Sequence, residues 1–345
     1  MTGTDGDRRT GHATAAGPRV SALLDSGRLD LPLPGSGRTL DRFAALRDLG
    51  AEDLVVARLA EAHVDARAVL AELLTGPDEV LPPGTHRRLW GVWAADPPAA
   101  PLRAVHRPGA HVAWSLSGSK PWCSGAGTCG RALVTAHAED GYRLFAVDPT
   151  HPGVSVRPSR WAVGAGMSGS DTCDLELTDV PARPVGEVDA YLHRPGFWWG
   201  AAGVAAVWLG GALRVALALE RAAGRHGSDL VLASLGRVDA AQHAAWCTLV
   251  EVARLADRSV AGDAPATQEQ AHLAAARSRA AVETAVEVTL HETGRATGPG
   301  PLAMDPDHAR AVADLQVYVR QSHGDRDLAV LGGLALAATD PGAPS

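Results

Sequence analysis

Apolar residues along this chain follow two periods. From Leu54 the positions Leu54, Leu59, Ala62, Ala66, Val69, Leu70 and Leu73 recur at the spacing of one helix face, with Arg58, Glu61, Asp65 and Arg67 filling the opposite side. This predicts helix through residues 19–80, up to the Pro/Gly break "TGPDEVLPPG". Between 87 and 185 the period drops to two. "HVAWSLS", "RALVTAH", "YRLFAVD", "GVSVR" and "CDLELTDV" read as short strands, separated by "GSKPWCSGAG", "AEDG", "PTHPG" and "WAVGAGMSGSD". Even spacing with such separators predicts an antiparallel barrel or sandwich, and the two prolines of "LTDVPARPVG" predict a linker after it. Helical period returns at 196–335, in four segments: Phe197–Arg225, Arg237–Val260, Thr267–Gly294 and Asp307–Gln321. Their apolar faces and short breaks suit an up-and-down four-helix bundle.

The predicted architecture is therefore α+β. A disordered N-terminus covers 1–18, a helical domain 19–86, a β domain 87–190, a helical bundle 191–336 and a flexible tail 337–345. The N-terminal "MTGTDGDRRTGHATAAG" has no apolar core and does not read as a signal peptide. The most apolar stretch, Phe197–Glu220, is interrupted by Gly210-Gly211 and Arg214 and reads as a buried helix rather than a membrane span.

Composition adds exclusions. A chain of 345 residues with 46% hydrophobic residues, 21% charged residues and a formal net charge of −7 has no basic footprint for nucleic acid. Cys123, Cys129, Cys173 and Cys247 form no Cys-x-x-Cys pair and no disulfide framework, which fits free thiols in a cytoplasmic protein and argues against a zinc site. No G-x-G-x-x-G follows a strand, so no dinucleotide-binding Rossmann unit is expected.

The glycine-rich separator after "HVAWSLS" holds more than a hairpin requires. Trp122 and Ser124 stand among Gly118, Gly125 and Gly127, an aromatic face and a small hydroxyl on a loop whose backbone can be approached closely. The alternative is a tryptophan committed to the core. Leu116-x-Gly118-x-Lys120-x-Trp122-x-Ser124-Gly125-Ala126 resembles a pattern of the acyl-CoA dehydrogenase family. "LVTA", "LFAVD", "PGV" and Gly166-Met167-x-x-Ser170-Asp171-Thr172 followed by "CDLELTDVPA" are similar to that family's succeeding strands. About a hundred residues carry the likeness, and the helical parts agree in order.

The resemblance implies an FAD enzyme that dehydrogenates an acyl-CoA or related thioester at its alpha and beta carbons. It further implies an electron acceptor and a homodimer or homotetramer. It places Trp122 against the flavin ring and Ser124 near the ring nitrogen N5, and it lets Arg225 stand where the family contacts the diphosphate of a neighbouring subunit. Three stretches depart from the pattern. "VWAADPPAAPLRA" offers prolines and no hydroxyl where the family holds flavin. "GRHGSDLVLASLG" lacks the expected Phe after Arg225. No Tyr-Glu-Gly-Thr motif supplies the glutamate base. By offset from Asp314 that position falls at Ser322 or His323. His323 is the candidate base, with Asp325 and Asp327 as alternatives. Gly294–Gly298 matches either an adenosine-contacting loop or a helix C-cap. The "FWWG" of 197–200 is either a substrate wall or core packing. Two other functions are consistent with the same fold: a monooxygenase using reduced flavin and oxygen, and a degenerate relative that only binds.

Overall fold

The computed structural model describes residues 16–74, 88–96, 101–107, 109, 113–157, 161 and 166–339. The expected breaker at 75–84 and residues 1–15 of the expected disordered terminus lie outside these. Residues 16–18 open a helix instead. The chain groups into two compact units, each discontinuous: residues 1–30, 62–163 and 168–194, and residues 31–61, 164–167 and 195–345.

The first unit begins with α1 (Ala16–Asp25) and takes the C-terminal half of α3 (Leu54–Leu73). Its sheet consists of β1 (Trp90–Trp93), β2 (Arg103–His106), β3 (Trp114–Cys123), β4 (Arg131–Ala138), β5 (Gly141–Val147), β6 (Val154–Val156) and β7 (Cys173–Pro184), followed by a single helical turn, α4 (Ala190–His193). The order β4-β2-β3-β7-β5 closes on itself through β4–β5, and β6 pairs with β7. The sheet is thus a barrel, but a mixed one. β1 and β2 both run parallel to β4, where wholly antiparallel pairing was expected. Two strands are longer than their apolar runs. β3 continues through Lys120 to Cys123, and β7 continues through Pro181 and Pro184, where the sequence predicted a loop and a linker. In both cases neighbouring strands supply pairing that local chemistry does not announce, and proline is tolerated where the ladder needs no N–H.

One face of α3 packs onto the barrel, with Ala66, Val69 and Leu70 against Trp90, Leu133, Leu144 and Val185. Part of the polar face is buried as well. Asp65 and Glu72 clasp the buried Arg194, at 3.2 and 3.3 Å. Glu61 is also buried and pairs with Arg58 at 3.0 Å within the other unit. Buried charges are tolerated when they are paired.

The second unit is built from α2 (Thr39–Glu52), the start of α3, α5 (Phe197–His226), α6 (Asp229–Ala256), α7 (Gln268–Thr297), α8 (Pro299–Met304), α9 (Pro306–Tyr318) and α10 (Asp325–Ala337). Glycine lets α2 and α5 approach backbone to backbone. A Cβ on Gly210 would lie 1.9 Å from the Arg47 carbonyl oxygen, and one on Gly50 2.4 Å from that of Val207. α5 is the one described helix apolar and long enough to cross a membrane, yet 78% of its apolar window is buried within the protein, as a core helix requires. α6 starts at Asp229, well before the predicted Arg237, because Gly236 proves to be a mid-helix residue rather than a break. α7 opens with a capping box between Thr267 and Gln270 and ends at Gly298, which adopts φ 68° and returns its N–H to the Gly294 carbonyl. Gly294–Gly298 is therefore a helix end here. α8 and α10 had no counterpart in the sequence reading. α10 contains Gly332-Gly333 and buries none of its residues.

Candidate functional site

The β3 bulge is the chemically distinctive part of the barrel. β3 and β7 slip register between Lys120 and Cys123, and in that slip Trp122 takes φ 62°. Left-handed backbone is costly for a bulky side chain, about 1–3 kcal/mol. The strain does not serve core packing, since Trp122 is 60% exposed. Its backbone N–H reaches Asp174 Oδ1 at 3.3 Å, and its ring makes a T-shaped contact with Trp161 at a centroid distance of 5.9 Å and 82°. The bulge therefore aims an indole face out of the sheet and leaves it open to a ligand.

Below that indole the chain is tightly held. The turn at 124–128 is sewn to the segment 170–172 by Gly125 N–H to Ser170 O (2.9 Å) and Ala126 N–H to Asp171 O (3.1 Å). The Asp171 carboxylate accepts from Gly127 N–H at 2.7 Å and from Thr128 Oγ1 at 3.2 Å. Trp93 Nε1 donates to the Ser124 carbonyl at 3.0 Å. Ser124 Oγ lies 2.9 Å from Thr172 Oγ1, which lies 2.7 Å from Ser170 Oγ, giving three hydroxyls in series. Asp171 sits at φ 51°, a conformation Asp tolerates better than most residues.

Lys120, two residues before Trp122, is buried inside the barrel and donates Nζ to Thr135 O (2.7 Å) and Oγ1 (2.9 Å). Burial pulls its amine down to about 8, partly countered by Asp96. Cys123 and Cys173 face each other across the β3–β7 ladder. Burial raises both thiols, Cys173 to about 11, so neither is an activated nucleophile.

Trp122 and Ser124 are thus brought together on one bulge of the barrel unit. The other two predicted site residues belong to the helical unit. Arg225 is exposed on the last turn of α5. His323 is exposed just ahead of α10, where its N–H reaches Asp327 Oδ2 at 3.1 Å and its Nδ1 lies 3.5 Å from Asp327 Oδ1. The neighbouring groups are equally engaged. Ser322 Oγ donates to Glu283 Oε2 at 2.6 Å, and Arg320 bridges Glu283 and Glu287 at 3.2 Å each.

Sequence reasoning used Asp314 only as a ruler, but the residue has a task. Its buried carboxylate accepts the Met167 N–H, pairs with Arg310 at 3.4 Å and is pushed up by burial. Gly166 beside it could carry no side chain, since a Cβ would fall 1.8 Å from the Ala313 carbonyl oxygen. The available signal was the Gly166-Met167 pair itself.

Residues 98–180 match the family model described as acyl-CoA dehydrogenase, middle domain. They span the barrel from β2 to β7 and include the Trp122 bulge. That stretch is similar to an acyl-CoA dehydrogenase middle domain. The whole chain has the acyl-CoA dehydrogenase fold, as solved structures establish at low identity. TdsC from Paenibacillus sp. A11-2, a dibenzothiophene monooxygenase solved with FMN and indole, has 17% identity and a TM-score of 0.78 over 97% of this chain and 94% of its own. Butyryl-CoA dehydrogenase from Megasphaera elsdenii has 18% identity and a TM-score of 0.76 over 94% of this chain and 92% of its own. KijD3, solved with FMN and a dTDP-linked amino-keto sugar, has 18% identity and a TM-score of 0.72 over 97% of both chains. No curated protein sequence matches the chain. The acyl-CoA dehydrogenase fold thus hosts both dehydrogenation and oxygen insertion among these neighbours, so the reaction must be argued from the site.

Proposed function

We propose that this protein is a flavin-dependent oxidoreductase in which the isoalloxazine ring lies against the Trp122 indole, with the Ser124 hydroxyl at the ring edge. The observation that carries this is the exposed Trp122 on a strained bulge, two residues before a hydroxyl held by Thr172. The residues fit the group. A flat polarisable ring gains about 0.5–1.5 kcal/mol from an aromatic neighbour beyond simple burial, and a small hydroxyl can reach a ring nitrogen without steric conflict. The flavin supplies two-electron redox chemistry. The chain supplies the platform, the ring-edge hydrogen bond and, in this reading, Arg225 as a phosphate contact. FAD is the flavin the sequence resemblance implies. FMN, which TdsC and KijD3 hold, is its competitor.

Two reactions are in contention. Dehydrogenation of an acyl thioester needs a base placed to take an alpha proton. A specific observation favours the second, hydroxylation by reduced flavin and oxygen. At the place where the family carries its glutamate, Ser322 is spent on Glu283 and His323 is exposed and tied to Asp327. No glutamate stands at either position, and His323 lies on the exposed surface.

Purified protein titrated with FAD and FMN, each oxidised and reduced, with absorbance and flavin fluorescence recorded, tests the cofactor. Saturable binding with a perturbed visible band is expected, and a colourless protein that takes up neither flavin would end the proposal. Anaerobic addition of acyl-CoA esters of graded chain length then separates the reactions. Bleaching supports dehydrogenation, whereas oxygen uptake that depends on supplied reduced flavin supports hydroxylation.

A further inference from the structure

The helical unit holds a cation with no counter-charge of its own. Arg279 on α7 lays its guanidinium over the Trp208 ring of α5, 4.6 Å from the centroid. Its Nη1 donates to the Ala201 carbonyl at 3.2 Å. Desolvation weakens its hold on the proton, while Asp327, Glu283 and Glu61 strengthen it. Each of those carboxylates is committed elsewhere. Glu61 pairs with Arg58 at 3.0 Å, Glu283 takes Arg320 and Ser322, and Asp327 takes His323. Among the described residues none of them comes within ion-pair distance of Arg279, a costly arrangement for a desolvated charge. A guanidinium is a fork of N–H donors suited to a planar, two-oxygen acceptor. Here it meets one carbonyl.

Two further donors beside it are unspent. Trp208 is fully buried, and its indole Nε1–H has no acceptor among the described residues. Tyr318 makes a T-shaped contact with that indole at a centroid distance of 6.3 Å and 85°. Its buried hydroxyl feels Glu61 yet has no partner in hydrogen-bond geometry. Orphaned buried donors are uncommon and expensive, and two of them adjoin the unpaired guanidinium. Arg279 is itself half-buried, so part of the side chain remains open to a solute.

We propose that Arg279, the Trp208 Nε1–H and the Tyr318 hydroxyl form a binding site for the carboxylate of a small organic acid with an apolar body. Charge selects the carboxylate. The guanidinium already has three acidic side chains around it, so one further negative charge is accommodated and the double charge of a phosphate is repelled. The two aromatic rings favour an apolar body behind that group. The site lies wholly within the helical unit and is independent of the flavin reading.

The test is calorimetric titration of the protein, without added flavin, with acetate, hexanoate and benzoate, and with benzyl alcohol and inorganic phosphate as controls. Saturable binding of hexanoate or benzoate, at least about tenfold tighter than either control, is expected. Arg279→Gln should weaken it about tenfold or more, and Arg279→Lys by less, because the charge stays and the fork is lost. Trp208→Phe keeps an aromatic ring, removes the N–H and should weaken binding about three- to tenfold. No saturable binding of any of the three acids, phosphate binding as tightly as the best of them, or an affinity unchanged in Arg279→Gln overturns the site. Thermal melts show whether a variant has failed to fold. Should Arg279→Gln fail, Arg279→Lys and Trp208→Phe carry the comparison, and unchanged affinity in both overturns the site equally.

Discussion

The bulge around Trp122 and the helix junction at 318–327 are both places where the family resemblance implied chemistry, and they are built in opposite ways. At the bulge, structure is sacrificed to presentation. A bulky residue is held in left-handed backbone, an indole faces outward, and a hydroxyl series ends at an open side chain. At the helix junction several polar groups are turned to structural use. Arg320 and Ser322 converge on Glu283, and His323 is tied to Asp327 at the entry to α10. A functional site keeps groups unsatisfied until a ligand arrives, whereas a structural site satisfies them internally. That criterion is the ground on which the proposed flavin site is put at the barrel rather than at the junction.

The contrast can be broken in four ways. The largest expected effect is on the support of the bulge. Lys120 titrates at about 8 in the folded chain against 10.5 when free. The unfolded chain therefore binds the extra proton between those values, and stability rises with pH across that window by on the order of 3 kcal/mol before levelling off. Urea unfolding from pH 7 to 10.5 should show this rise, and Lys120→Met should abolish it. Next, Trp122→Ala should weaken flavin binding about 10- to 100-fold, the loss of one aromatic platform. Its melting temperature should be unchanged or slightly raised as the backbone strain is relaxed. A parallel fall in stability would mean that the indole is a packing residue.

At the junction the signs reverse. Glu283→Ala strands Arg320 and Ser322 and should cost about 1–3 kcal/mol in denaturant unfolding, with flavin affinity untouched. The smallest effect belongs to His323→Ala, which should shift stability by no more than about 0.5 kcal/mol and turnover by less than twofold. A loss of a hundredfold or more would restore His323 as the base and undo the comparison.

A separate acid limb comes from His63. It is buried with Nδ1 accepting the Trp90 N–H at 3.2 Å, and burial lowers its pKa to about 4. The unfolded chain takes up the proton first as pH falls through 6.5. Stability should therefore drop between 6.5 and 4 and flatten below, and His63→Gln should blunt the drop.

Residues with a local signature were legible in sequence. The alternation in "RALVTAH" and "YRLFAVD" marked β4 and β5 within a residue or two, and the segment read from Thr267 marked the start of α7. The Trp122–Ser124 pair stood out because no hairpin needs it. Elements held by distant partners were not legible. β1 and β2 are four residues each and exist because β4 and β3 pair with them. Pro181 and Pro184 spoke against a strand that β3 and β5 nonetheless support. α10 carries Gly332-Gly333, a composition that hides a helix.

The amino-acid order alone determined the two periodicities, hence helices flanking a β domain, and the chemical types gathered on one glycine-rich segment. Both follow from the geometry of neighbouring residues, in which spacing along the chain fixes which side chains share a face. Only tertiary structure decided that the barrel closes with parallel as well as antiparallel edges, that Trp122 stands outside the core, and that Ser170 and Thr172 queue behind Ser124. Those outcomes depend on contacts between distant residues, β1 and β2 with β4 and β3 with the residues 170–184. A long-range register and the burial of one hydroxyl are properties of the folded whole, and no local pattern encodes them.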